Sequence, residues 1–238
     1  MKLSENPLKI LAVDSSSMTG SVALCLGEQL VAESLLNVRS THSEKLLKQI
    51  DLLLAEAGWQ LADLDLLAAV TGPGSFTGLR IGIATIKGLA EVLGTPVVGV
   101  SSLEMLAMNL PLCPVPICAF LDARKNEVYT QLFNWTARGP VVAGAAQVIP
   151  PQRALEQLTG PVALVGDGVP LYREMITTAL GSAALLPVMT AHQPRAAQAA
   201  WLAWRAYQQG LTITAAELLP TYVRPSDAEL NQPKTKAG

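Results

Sequence analysis

Two apolar runs in this chain end alike. Lys9-Ile10-Leu11-Ala12-Val13-Asp14 closes on an acid followed by Ser15, and Ile117-Cys118-Ala119-Phe120-Leu121-Asp122 closes on an acid followed by Ala123. The segments after the two runs are also similar. After Asp14 come strand-like segments at 21–26 and 29–35, flanking Gly27-Glu28, a hairpin signal. Helix and strand then alternate, giving β-β-β-α-β-α-β-α. After Asp122 come strand-like runs at 127–133 and within 141–149. A short helix at 153–158, a strand at 162–165 and helices at 172–180 and 195–209 complete the second copy. Antiparallel strands followed by parallel crossovers make a mixed sheet covered by helices. A chain that runs through this order twice is expected to form two α/β lobes. The first is residues 9–110 and the second 111–238, behind a loose extension at 1–8. Pro111, Pro114 and Pro116 mark the junction. A short extended run at 219–224 and a polar tail end the chain. With 238 residues, half of them hydrophobic, there is ample material for both cores.

The first lobe is the better punctuated. Thr41 and Glu44 have capping-box spacing. Leu46, Leu47, Ile50, Leu53, Leu54 and Ala57 form an apolar helical stripe, and Gly58 suits a C-terminal cap. Leu52 falls off the stripe, on the face of Lys45, Lys48, Gln49 and Glu56. The strand at 66–70 then runs into Thr71-Gly72-Pro73-Gly74-Ser75-Phe76-Thr77-Gly78-Leu79-Arg80-Ile81-Gly82, which opens a helix at 77–93. Gly72 and Gly74 allow positive φ on either side of the stiff Pro73. Two readings stand side by side. Free N–H groups at a helix start suit an anion or nucleotide, with Asp14, Gly72, Gly74, Ser75, Thr77 and Arg80 as contacts. Equally, the stretch is a tight turn with a capped helix, because it matches neither Gly-x-Gly-x-x-Gly nor a P-loop. Gly78, Gly82 and Gly88 each cost the helix about 1 kcal/mol against alanine. Their presence implies close approach of another backbone, either this chain's own sheet or a helix of another subunit.

As a whole string, Gly72 to Gly82 resembles the signature of the TsaB (YeaZ) family. Members of this family are the non-catalytic partners of the enzyme that makes threonylcarbamoyladenosine on tRNA. The resemblance covers nearly the whole chain. It implies the ASKHA (actin/Hsp70/sugar-kinase) fold, with two ribonuclease-H-like lobes of mixed β-sheet covered by helices. It also implies a scaffold that dimerises with TsaD and supports threonylcarbamoyl transfer to adenosine 37 of tRNAs reading codons that begin with A. TsaE, an ATPase, would be a further partner, and tRNA would be met indirectly. No intrinsic cofactor is expected, since ATP and the metal would belong to the partners. First-lobe helices form the self-association surface and the TsaD contact in this family. Carried to this chain, the contacts are His42, Lys45, Gln49, Leu52, Gly78, Gly82 and Lys87, with Arg80 serving a partner or an anion.

The reactive groups agree with a non-catalytic role. His42 and His192 stand alone, with no second ligand at metal spacing. By the same resemblance, TsaD carries two metal-binding histidines four apart after the strand that follows its own Gly-Pro-Gly turn. Here those positions are Ser102 and Leu106, and leucine cannot ligate. A peptidase reading would need Ser75, His42 and an acid, but the stretch lacks a Gly-x-Ser-x-Gly elbow. The rival reading is a stand-alone kinase or ATPase, with Asp14 and Asp122 facing a common cleft. Against it, nucleotide-binding members of the fold that the chain resembles often place a glycine two residues after the acid, where Ser15-Ser16-Ser17 has none, and Gly166-Asp167-Gly168 reads as a plain strand-to-helix turn rather than as a remnant of the second-lobe nucleotide loop. A net charge of −2 leaves no broad nucleic-acid footprint. Cys25, Cys113 and Cys118 lack Cys-x-x-Cys spacing and read as free thiols. Without a signal-peptide pattern or a long apolar run, the expected location is the cytoplasm, away from membranes.

Overall fold

The computed structural model describes residues 7–37 and 42–224. The first sheet holds β1 (Lys9–Asp14), β2 (Thr19–Leu26), β3 (Gln29–Asn37), β4 (Leu66–Gly72) and β5 (Val97–Ser101), in the order β3-β2-β1-β4-β5. The second holds β6 (Ile117–Asp122), β7 (Val128–Thr136), β8 (Gly139–Val142), β10 (Val162–Val165) and β11 (Ala184–Leu185), in the order β11-β10-β6-β7-β8, with β9 (Gln147–Ile149) also on β7. The duplication is plain in the pairing. β1 runs antiparallel to β2 and parallel to β4, as β6 runs antiparallel to β7 and parallel to β10.

The helices are α1 (His42–Ala57), α2 (Phe76–Leu93), α3 (Ser102–Ala107), α4 (Pro151–Glu156), α5 (Gly168–Leu171), α6 (Arg173–Leu180) and α7 (Ala196–Gln208). β1 and β4 are buried on both faces, so they read as continuous apolar runs. Leu11, Val13, Leu67 and Ala69 point to α1 and α2, where they meet Leu46, Ile50, Leu79 and Ile86. Ile10, Ala12, Ala68 and Val98 point the other way, onto Ala196, Ala199, Ala200 and Ala203 of α7. The alanine face lets α7 lie close to the sheet.

That placement corrects the expected lobe boundary. α7 covers the first sheet, although the chain reaches it only after completing the second. The segment beyond α7 stays there too. Ile213 bridges Val97, and Thr221 N–H donates to Thr71 O at 2.8 Å. Sequence periodicity reports that a helix has an apolar face, not which sheet receives it. Residues 219–224 form no strand, although Thr221 takes one backbone bond.

Local signals fared better. Gly58 sits in the left-handed region at φ +66, with Trp59 N–H on Leu54 O at 2.9 Å and Gly58 N–H on Ala55 O at 3.1 Å. That is a Schellman cap. Ser101 caps α3 by accepting from Glu104 N–H at 3.4 Å. Leu47 departs from the expected stripe and is 53% exposed. Leu8, placed in the loose extension, is buried and accepts from Gly27 N–H. The Thr41–Glu44 cap, residues 1–6 of the extension and the polar tail lie outside the described residues. Among the described residues, no helix is long and apolar enough to cross a membrane.

Candidate functional site

The glycine-rich turn is closed by the chain's own loops. β4 ends at Gly72, whose φ is +124. Ser75 caps α2 by accepting from Gly78 N–H at 3.3 Å. The loop after β1, residues 15–17, lies directly against this corner. Ser75 N–H donates to Ser16 O at 2.6 Å, and Ser15 Oγ donates to Gly78 O at 2.8 Å. Ser102 Oγ at the start of α3 donates to Pro73 O at 2.5 Å. A Cβ at Gly74 or Gly78 would fall well inside 3.0 Å of the Ser16 or Ser15 carbonyl oxygen, and one at Gly82 would strike Ser15 Oγ. Gly74 is therefore required by close approach rather than by positive φ. The same contacts correct Gly78 and Gly82 as partner residues. Both are buried against the loop at 15–17 and offer nothing to another subunit.

Asp14 is wholly buried beneath this corner. Its Oδ1 accepts from Ser16 N–H at 2.9 Å, while Oδ2 has no partner. Burial pushes its pKa from 3.8 up to about 6, against the pull of the Ser16 hydrogen bonds. The counterpart in the second lobe is differently held. Asp122 accepts from Arg124 N–H at 2.9 Å and pairs with the Arg124 guanidinium at 2.9 Å. Its own N–H donates to Asp167 Oδ1 at 2.9 Å. The two acids do not share an open cleft, because Asp14 reaches no surface.

Gly166-Asp167-Gly168 is a strand-to-helix turn packed on β6. Gly166 has φ +126, and a Cβ there would lie 2.5 Å from Phe120 O. His192 closes on the same turn. It is buried, and its Nδ1 accepts from Gly166 N–H at 3.3 Å. Burial first, and then the Arg173 charge, hold its pKa below the ordinary value. No group of three His, Cys, Asp or Glu side chains stands at metal-holding spacing among the described residues. Ser102 and Leu106 are both buried in packing.

The outward residues separate into two sets. On α1, Lys45 and Leu52 are exposed, and Leu47 lies out with them. On α2, Ala84, Gly88 and Val92 are exposed, Val92 at 85%, and a methyl at Gly88 would meet nothing within 4 Å. Gln49 and Lys87, expected to face outward, do not. Gln49 is buried and donates from Nε2 to Ser34 Oγ at 2.8 Å, a β3 partner that a helical wheel does not include. Lys87 Nζ donates to Ala216 O and Leu218 O at 3.2 Å each. The side chain of His42 lies outside the described set.

The second outward set is at the start of α2, where Ser75, Phe76, Thr77 and Arg80 are exposed. The Arg80 guanidinium lies 3.8 Å over the Phe76 ring, and Phe76 stacks on Tyr222 at 5.3 Å between centroids. Arg80 Nε donates to Tyr222 Oη at 3.3 Å. Sequence reasoning missed Phe76 and Tyr222, because residues 211–224 carry no periodic pattern.

Residues 32–232 match the family described as TsaD: tRNA N6-adenosine threonylcarbamoyltransferase. The chain is similar to the tRNA threonylcarbamoyladenosine biosynthesis protein TsaB of Bacillus subtilis (strain 168), with 32% identity over 93% of this chain and 96% of the relative. The TsaB of Haemophilus influenzae (strain ATCC 51907 / DSM 11121 / KW20 / Rd) is 35% identical over 91% of this chain and 94% of the relative. The solved structure of YeaZ from Pseudomonas aeruginosa superposes with a TM-score of 0.80 at 31% identity, covering 90% of this chain and 99% of that one. Two mixed sheets covered by helices, in this duplicated order, are an ASKHA-like fold. The agreement in length, identity and backbone shows that the chain belongs to the TsaB (YeaZ) family.

Proposed function

We propose that this chain is a non-catalytic scaffold of threonylcarbamoyladenosine biosynthesis. It pairs with a TsaD transferase in the cytoplasm and supports threonylcarbamoyl transfer to adenosine 37 of tRNA, with TsaE as a further partner. The names of its relatives supply the pathway. The observation that carries the scaffold reading is the occupancy of the reactive corner by packing. The fold is that of the transferase family, yet the two positions expected to ligate metal are buried Ser102 and Leu106, and Asp14 has no exposed surface. ATP and metal then belong to the partners.

The partner surface consists of the exposed faces of α1 and α2. Leu47 and Leu52 give it apolar area, while Ala84 and Gly88 let another helix approach closely. The same surface serves a homodimer when the chain is alone. Size-exclusion chromatography with light scattering, on the chain alone and mixed with its cognate TsaD, tests the reading. A mixed species is expected, and Leu52→Glu should abolish it without changing the circular dichroism. The absence of a mixed species even with ATP and TsaE present would overturn the reading. Saturable ATP turnover by the isolated chain, lost on Asp14→Ala, would replace it with an autonomous enzyme.

A further inference from the structure

Two lobes of one chain ordinarily move against each other unless the surface between them is large and apolar. Here that surface is core. Ser102, Leu103, Met105, Leu106 and Ala107 of α3 are all buried. Met105 packs with the first sheet, beside Val98, Val100 and the alanines of α7. Leu103, Leu106 and Ala107 pack with the second, beside Ile117, Ala119, Leu121 and Phe133. α3 is thus a wedge with a face in each core, and Trp135 of β7 packs against both. Parting the lobes would strip packed apolar surface from α3.

Polar ties fasten the same two bodies at three places. Beyond α7, residues 211–224 run as a strap along the first lobe. Ile213 bridges Val97, Lys87 holds the Ala216 and Leu218 carbonyls, and Thr221 N–H bonds Thr71 O. The end of the strap crosses over. Arg224 donates to Ala123 O at 2.9 Å and pairs with Glu127, just ahead of β7. Past the other end of β7, Arg205 of α7 lies over Trp201 and donates to the Arg138 carbonyl. β7 has nine residues, so these two ties stand roughly 25–30 Å apart.

The third tie lies off that line, two strands across the sheet at the end of β10. His192 Nδ1 accepts from Gly166 N–H there at 3.3 Å. The next residue, Gln193, accepts through Oε1 from Thr19 Oγ1 of β2 at 3.0 Å. Asn109, just past the wedge, donates from Nδ2 to Ala191 O at 2.9 Å and to Gln193 O at 2.8 Å. A hinge turns about a line. Rotation about β7 is stopped by the third tie, and rotation about the third tie is stopped at the ends of β7.

We infer that the two lobes are locked as one rigid block, so that this chain acts without opening and closing a cleft between them. Two-lobed kinases instead close around their ligand by hinge motion. The lock goes beyond the scaffold reading and belongs to the free chain. It presents α1 and α2 in a single arrangement relative to the second lobe.

Distances between two spin labels test it. Cys113→Ser leaves the two buried thiols, and Glu56→Cys on α1 with Thr178→Cys on α6 places one exposed label on each lobe. The full chain should give one narrow distance peak, unmoved by magnesium and ATP. Two peaks, or a peak that moves, overturn the inference. Arg205→Gln with Arg224→Gln cuts both ties on β7 and should broaden the peak while the circular dichroism holds. An equally narrow peak would overturn the role given to the ties. Hydrogen exchange in rising denaturant, read on peptides of β1 and β6, is a second measurement. Both should open at one midpoint, and Leu106→Ala should lower it equally at the two strands. A fall at β6 with β1 unchanged would show two independent lobes and overturn the lock. In the mixed complex with TsaD the peak should keep its position. Failure to form that complex counts against the scaffold reading alone, because the free chain decides the lock.

Discussion

Two glycines of α2 should respond in opposite directions to the same substitution. Gly78 and Gly88 both lie inside the helix, so propensity alone favours Ala at each by up to about 1 kcal/mol. Their surroundings differ. At Gly78 the new methyl falls well inside 3.0 Å of the Ser15 backbone oxygen and 3.3 Å from Ser75 Cβ. The obstacle is backbone, so it cannot rotate away. Relief requires the 15–17 loop to move, at an overpacking cost of about 1–3 kcal/mol. The Ser15 Oγ bond to Gly78 O is strained or lost as well, a further cost of about 1 kcal/mol. Set against the propensity gain, Gly78→Ala should destabilise by about 1–3 kcal/mol. In a protein of this size that lowers Tm by roughly 2–12 °C. At Gly88 nothing lies within 4 Å and φ is not positive, so the gain should survive as a rise of roughly 2–4 °C. Calorimetric melts of both variants beside the parent settle the matter. A rise in both, or a fall in both, would refute the assignment of Gly78 to contact with the 15–17 loop and of Gly88 to open surface.

Asp14 predicts a pH effect. Its carboxyl titrates near 6 when folded and near 3.8 when unfolded, so between those values the folded chain holds a proton the unfolded chain has lost. Stability should therefore fall as pH rises through that window, and the penalty should persist above it, at up to about 3 kcal/mol. Asp14→Asn keeps the acceptor for Ser16 N–H and lacks this step. Its Tm relative to the parent should improve from about pH 4 to about pH 7.5, and a difference constant across pH would count against the buried carboxylate. The cysteines predict selective labelling. Burial raises the Cys25 thiol to about 12 and the Cys118 thiol to about 11, whereas Cys113 is half-buried. Iodoacetamide on the native chain should modify Cys113 alone by mass spectrometry, and modification of Cys25 or Cys118 before unfolding would contradict the packing.

Legibility in the sequence followed the range of the interaction. The capped start of α2, the Gly58 stop and the Gly27 hairpin were readable because each is settled within a few residues. The repeated strand-Asp opening exposed the duplication, and with it the two mixed sheets. What could not be read depended on partners far along the chain. Gln49 looked outward until Ser34 of β3 was seen to hold it, and Lys87 until residues 216 and 218 folded back under its amine. The glycines of α2 announced a close neighbour without naming it. For Gly78 and Gly82 the neighbour is Ser15, some sixty residues earlier, and for Gly88 no neighbour exists within the described chain. Phe76 and Tyr222 are 146 positions apart, and neither carried a local signal for the other.

The return of α7 to the first sheet has a consequence for how the chain is made. Synthesis proceeds from the N-terminus, and domains ordinarily fold as they emerge. Here the strands of the first sheet are complete by Ser101, but Ile10, Ala12, Ala68 and Val98 remain uncovered until Ala196–Gln208 has been synthesised. The N-terminal half is therefore born with one apolar face bare, and it must wait for the second lobe to be built before its own core can close. A ribosome stalled or a chain cut between the two lobes would release that face to water, where a chaperone or another nascent chain is its nearest cover.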